Sequence, residues 1–122
     1  MTNVPGKTIT KAQLDEMFES IREAGQWDMS KPLLWGYFFT DTDTKKLETL
    51  ASTLVEMGYQ LVDIFQERKE NPSDPDKFFL HVEKTEIHDS TSLDKRNDSL
   101  FILAHEVGIE SYDGMDVGPV EE

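Results

Sequence analysis

The segment Glu56-Met57-Gly58-Tyr59-Gln60-Leu61-Val62-Asp63 is echoed by Glu106-Val107-Gly108-Ile109-Glu110-Ser111-Tyr112-Asp113. Each copy reads as a helix stop, then a strand, then an aspartate. Upstream of each lies an amphipathic stretch, and before that an aromatic run with a Phe-Phe pair, Phe38-Phe39 or Phe78-Phe79. The chain is therefore built from two βαβ units in tandem. A loop joining two such units gives a four-stranded antiparallel sheet with two crossover helices on one face, the ferredoxin-like split βαβ arrangement of the α+β class. At 122 residues the chain fits one domain. We place it at residues 10–119, with a polar N-terminal arm at 1–9 and an acidic tail at 120–122.

Before the first unit lies an additional helix, read over residues 10–25. Thr10 followed by Gln13 matches a capping box, and Ile9 with Leu14 matches a hydrophobic staple. Leu14, Met17, Phe18 and Ile21 recur at helical spacing, and Gly25 suits a left-handed stop. Leu33 to Phe39 reads as a central strand. Asp41, Thr42 and Asp43 offer caps to a helix carrying Leu47, Leu50, Ala51, Leu54 and Met57 and ending at Gly58. A strand from Tyr59 to about Arg68 follows. The turn-rich segment Asn71-Pro72-Ser73-Asp74-Pro75-Asp76 then predicts an exposed loop. A third strand spans Phe78 to about Thr85. The last helix, with Thr91 and Asp94 as a cap pair, stops at Gly108, and a short strand from Ile109 to Tyr112 leads to a turn at Asp113-Gly114.

The first strand is apolar on both sides. Trp35, Tyr37 and Phe39 alternate with Leu34, Gly36 and Phe38, so one set faces the crossover helices while the other needs cover or meets a partner. Cover by the N-terminal helix is one solution, and a partner surface is the other.

Charge restricts the partners. Twelve Lys and Arg stand against twenty-five Asp and Glu, a formal net charge of −13. A polyanion gains no counterion-release free energy on phosphate or anionic lipid, which argues against nucleic-acid and membrane binding. Cysteine is absent, so no disulfide, thiolate nucleophile or cysteine-held metal enters the reading. The opening MTNVPGKTIT has no basic segment leading into an apolar one, and a cytoplasmic setting is expected.

Three histidines, His81, His88 and His105, lack dense ligand spacing. Asp41-Thr42-Asp43-Thr44 opens like a calcium loop, yet Lys45 stands where a further ligand is needed, and helix capping explains it better. Nucleophile-elbow, P-loop and dinucleotide glycine motifs are missing. We therefore expect no catalytic residue, no cofactor and no metal. The same fold type carries RNA-recognition modules, and Trp35, Tyr37 and Phe39 with Phe79 and His81 resemble their aromatic strands. Their basic signature is absent and the charge is opposite.

Tyr112-Asp113-Gly114-Met115-Asp116, with the aromatic first strand and the helix end Glu56-Met57-Gly58-Tyr59, resembles the family of the bacterial regulator of ribonuclease E activity B. The resemblance runs from about Leu33 to Pro119. Met115 stands where family members commonly carry Trp. The resemblance implies a small acidic cytoplasmic protein with a ferredoxin-like sheet that binds ribonuclease E and restrains RNA processing without catalysing a reaction. An anionic surface is independently suited to steering toward an Arg/Lys-rich segment. After Arg96 no Lys or Arg follows, whereas Asp98, Glu106, Glu110, Asp113, Asp116, Glu121 and Glu122 do.

The leading expectation is a non-enzymatic protein-binding regulator, monomeric or weakly homodimeric. Its partner is ribonuclease E or another basic RNA-handling protein. The partner-contact candidates are Trp35, Tyr37, Phe39, Tyr112, Asp113, Gly114 and Asp116. Two alternatives remain open. One is a small-molecule or catalytic domain with a pocket under the N-terminal helix near His81 or His105. The other is an interaction or immunity-like module unrelated to RNA.

Overall fold

The computed structural model describes residues 4, 6–25 and 27–120. Its elements run α1 (Lys11–Ala24), β1 (Leu33–Asp41), α2 (Thr44–Glu56), β2 (Gln60–Gln66), β3 (Phe78–Glu86), α3 (Ser90–Val107) and β4 (Ser111–Gly118). The strands form one antiparallel sheet in the order β2-β3-β1-β4, so the fold is the expected α+β ferredoxin-like sheet with an extra N-terminal helix. Of the acidic tail, Glu121 and Glu122 lie outside the described residues.

Local chemistry fixes most element ends. The Thr10 side chain accepts from Gln13 N while the Gln13 side chain accepts from Thr10 N, and Gly25 closes α1 at φ 66°. Asp43 caps α2 by accepting from Lys45 N at 2.9 Å. Buried Asp41 has a larger span: its carboxylate accepts from Asp43 N at 2.7 Å and from Glu110 N at 2.8 Å. One side chain thus ties the start of α2 to the approach of β4. In the loop after β2, Asn71 accepts from Ser73 N at 3.1 Å, an Asx-type turn.

Two local expectations are corrected. The cap of α3 is Asp89 with Ser92, not Thr91 with Asp94; the Asp89 carboxylate accepts from Ser92 N at 2.7 Å and Ser92 Oγ accepts from Asp89 N at 2.9 Å. The helix starts at Ser90, which leaves Thr91 inside its first turn. Asp113-Gly114 is not a turn after a short strand, because β4 continues to Gly118. Phe39 pairs with Tyr112 and Phe38 with Gly114, so Asp113 is the extra residue of a β-bulge. Gly114 adopts φ 147°, a conformation L side chains rarely reach, which explains glycine at this point of the strand.

The core lies between the sheet and all three helices. Leu47, Leu50 and Leu54 of α2, Leu93, Leu100 and Phe101 of α3, and Leu14 and Phe18 of α1 are buried against it. Helix α1 packs beside α3 and over the early part of β1, with the Phe18 and Trp35 ring centroids 5.9 Å apart. Lys7 secures the preceding segment to α3 through Asp94 at 3.1 Å and Asp98 at 2.7 Å. The extra helix therefore joins the helical layer, and the opposite face of the sheet is left open.

Candidate protein-binding surface

Strand parity decides which face of the sheet each β1 residue points to. Trp35, Tyr37 and Phe39 point into the helical layer and are at most 1% exposed. Leu34, Gly36, Phe38 and Thr40 consequently lie on the open face. Register then places three transverse rows on that face. The first is Phe65, Phe79, Thr40 and Ser111; the second is Asp63, His81, Phe38 and Gly114; the third is Gln60, Glu83, Gly36 and Asp116. None of these residues is Lys or Arg.

The first two rows contain the aromatic surface. Phe65 and Phe79 stack with centroids 5.5 Å apart, and Phe38 stacks on His81 at 4.3 Å with the rings 17° from parallel. Phe65 remains 40% exposed. In the third row Gly36 is buried beneath the Asp116 carboxylate, with Glu83 opposite it on the other neighbouring strand. A methyl group there would clash with the Asp116 carboxylate and come within 2.9 Å of His81 Nε2. That nitrogen is buried and has no hydrogen-bond partner among the described residues. Asp63, Glu83 and Asp116 form no salt bridge among the described residues.

The covered face treats charge differently. Glu86 receives both terminal nitrogens of Arg96, with Nη2 to Oε2 at 2.7 Å, and lies 3.3 Å from His88 Nε2. Its backbone carbonyl accepts from Trp35 Nε1 at 3.1 Å, and Tyr37 donates its hydroxyl to Oε1 at 3.4 Å. Burial opposes ionisation of Glu86, but the Arg96 hydrogen bonds and charge outweigh it and hold the carboxyl below its ordinary pKa. Burial lowers the pKa of His88 despite attraction from Glu86, and raises those of Tyr37 and Tyr112. Tyr112 donates to Asn97 Oδ1 at 2.7 Å, while Asn97 Nδ2 lies 3.3 Å from Met115 Sδ. These polar groups hold the covered side of the sheet in register with α3.

The expected contact residues thus separate. Trp35, Tyr37, Phe39 and Tyr112 are core residues, so packing replaces a contact role for them: the helices already occupy the surface they present. Asp113 is exposed at the bulge, Gly114 gives that bulge its backbone, and Asp116 is exposed on the open sheet face. Phe79 and His81, which the RNA-module comparison sets beside Trp35, Tyr37 and Phe39, belong to the open face instead. Phe38 belonged to the alternative β1 set named from sequence, whereas Phe65, Asp63 and Glu83 were not singled out. The available signal was their shared parity, which becomes readable only when register is known.

The cavity beside α1 has a volume of about 430 Å³ and includes Phe18, Trp27, Met29 and His88. His81 lies across the sheet from it. Exposed His105 lines a separate hollow of about 160 Å³ with Phe101 and Ile109. A pocket combining α1 with His81 or His105 is therefore not assembled.

No curated protein matches the chain. The family model described as regulator of ribonuclease activity B matches residues 11–117, from the first residue of α1 to the penultimate residue of β4. With the match spanning the complete helical layer and sheet, the chain belongs to the regulator of ribonuclease activity B family.

Proposed function

We propose that the protein is a non-enzymatic regulator that restrains ribonuclease E-type RNA processing through direct contact with a basic segment of the enzyme. The open sheet face carries this reading: aromatic side chains lie beside Asp63, Glu83 and Asp116, none paired with a cation among the described residues. An RNA-binding sheet combines its aromatics with basic groups. Here the charge repels phosphate and attracts Lys or Arg. The family supplies the regulated activity, and the surface supplies a route to it that uses no chemical conversion.

The contact takes place in the cytoplasm, with the protein as a monomer or weak homodimer. Asp113 and Asp116 contribute to the anionic surface, while Tyr112 and Gly114 act by holding β4 in its bulged path. Capture from a bacterial lysate, together with cleavage of a ribonuclease E substrate across a salt series, tests the reading. Expected results are recovery of ribonuclease E at low salt, slower cleavage when the protein is added, and weakening of both as screening increases. Recovery of neither ribonuclease E nor another basic RNA-handling protein at low salt would overturn it.

A further inference from the structure

We infer that the open sheet face is an arginine-selective docking surface for a short extended peptide segment, centred on the Glu83 and Asp116 carboxylates. This rests on the protein-contact reading above and identifies the surface and side-chain chemistry that would serve it. Glu83 and Asp116 flank Gly36 on neighbouring strands. Two strand spacings separate the flanking backbones, about 10 Å. Their side chains project from the same face and the Asp116 carboxylate lies over Gly36 itself, so a planar guanidinium above this row can donate to carboxylates of both flanking strands.

The adjoining row supplies the other half of arginine recognition. The stacked Phe38–His81 pair presents an aromatic surface beside Gly36, and the Phe65–Phe79 pair extends it toward β2. Guanidinium stacks on aromatic planes, whereas ammonium is a compact and strongly hydrated charge. Asp63 supplies an additional carboxylate in the second row. The combination selects a cation that stacks and forks, rather than positive charge alone.

Absence of a side chain at Gly36 is required by this arrangement. The Asp116 carboxylate leans over the space that Cβ would fill, and His81 approaches it from the other side. The three carboxylates have no salt-bridge partner among the described residues, so an incoming cation does not first have to displace an internal one. The helical side contrasts in this respect: Glu86 is already committed to Arg96.

Titration of the full chain with a short arginine-rich peptide and with its lysine-for-arginine counterpart, followed by backbone NMR, tests the inference. The arginine peptide is expected to bind more tightly and to shift resonances of the open face. Glu83→Gln combined with Asp116→Asn is expected to weaken it by about tenfold, the order expected when charge-assisted hydrogen bonds are lost. Phe65→Ala should reduce the preference for arginine over lysine. The control Glu16→Gln/Glu19→Gln/Glu23→Gln, on exposed positions of α1, removes more charge but should leave affinity within about twofold after screening.

Equal binding of the two peptides, equal weakening by the α1 control, or preferential displacement of the peptide by a single-stranded oligonucleotide would overturn the inference. Thermal unfolding of every variant supplies the folding control. Undiminished capture of ribonuclease E by the folded Glu83→Gln/Asp116→Asn protein would overturn the docking surface while leaving the regulatory reading intact. Arginine-selective binding without any effect on ribonuclease cleavage would have the converse meaning.

Discussion

Glu83 and Glu86 stand on the same strand and project to opposite faces of one sheet. Glu86 is enclosed by Arg96, His88 and Tyr37, with only 15% of its side-chain surface exposed. Glu83 lies beside Gly36 without a salt-bridge partner among the described residues. A buried carboxylate needs cationic and hydrogen-bonding partners to offset desolvation, whereas water serves an exposed one. The covered face therefore commits its charge to folding, and the open face retains charge for a partner.

The largest separation between the faces is expected on removal of Arg96. Arg96→Met leaves Glu86 without its bidentate cation and should destabilise the protein by about 3 kcal/mol, near the lower end for a broken buried pair because some solvent still reaches the carboxylate. Urea denaturation provides the measurement. A loss no larger than that of a typical surface substitution would show that Glu86 is not held as a buried ion.

Tyr112→Phe should have the next largest effect, a loss of about 1–3 kcal/mol, because Asn97 Oδ1 loses its buried hydroxyl donor. The same denaturation measurement tests it. Restoration of full stability by Asn97→Leu in the Tyr112→Phe background would identify the unsatisfied amide, rather than altered aromatic packing, as the main cost.

The covered face should also give stability a particular pH dependence. Folding lowers the pKa of His88 from an ordinary 6.5, so the unfolded chain binds its proton first and stability falls as pH drops below about 6.5. Glu86 is likewise lowered, from 4.5, and contributes a further loss as pH falls through the more acidic range. Thermal unfolding from neutral pH to about pH 2.5 should show both phases. His88→Gln should flatten the upper phase, and a persistent upper phase would assign it to another group.

The smallest stability effect is expected on the open face. Asp63→Asn/Glu83→Gln/Asp116→Asn should change stability by no more than about 0.5 kcal/mol, since these exposed or partly exposed acids break no salt bridge when neutralised. Calorimetry of this variant measures the contrast with Arg96→Met. A large loss here would make the open-face carboxylates part of the folding machinery and remove the difference between the faces.

Much of the fold was legible because it follows from local chemistry repeated along the chain. Thr10 with Gln13, Asp43, Gly25 and Gly108 are short-range signals, and the structure uses each near a helix boundary. Asp113-Gly114 was less legible. The dipeptide has turn composition in isolation, but pairing of Tyr112 with Phe39 and Gly114 with Phe38 makes it a bulge within a longer strand. Similarly, Asp89 supplies the cap of α3, but Asp89 and Thr91 compete for that position at sequence level until the first helical hydrogen bonds set the boundary.

The surface was legible as an unresolved choice. Both alternating sets in β1 are apolar, so hydrophobic periodicity has no means of selecting which set lies beneath the helices. Phe18 approaching Trp35, together with the packing of Tyr37 and Phe39 against Tyr112, selects the odd-numbered set for the core. Phe38 is then left to stack on His81.

The tandem order of strands and helices, the acidic composition and the main helix boundaries are properties of the sequence itself: periodicity, caps and charge are carried by nearby residues. Only the tertiary structure decided that α1 joins the other helices, that Asp113 forms a bulge, and that Gly36 lies between Glu83 and Asp116. Those outcomes depend on register between distant strands. A shift of one residue in that register exchanges the buried and open faces, and with them the residues available to a partner.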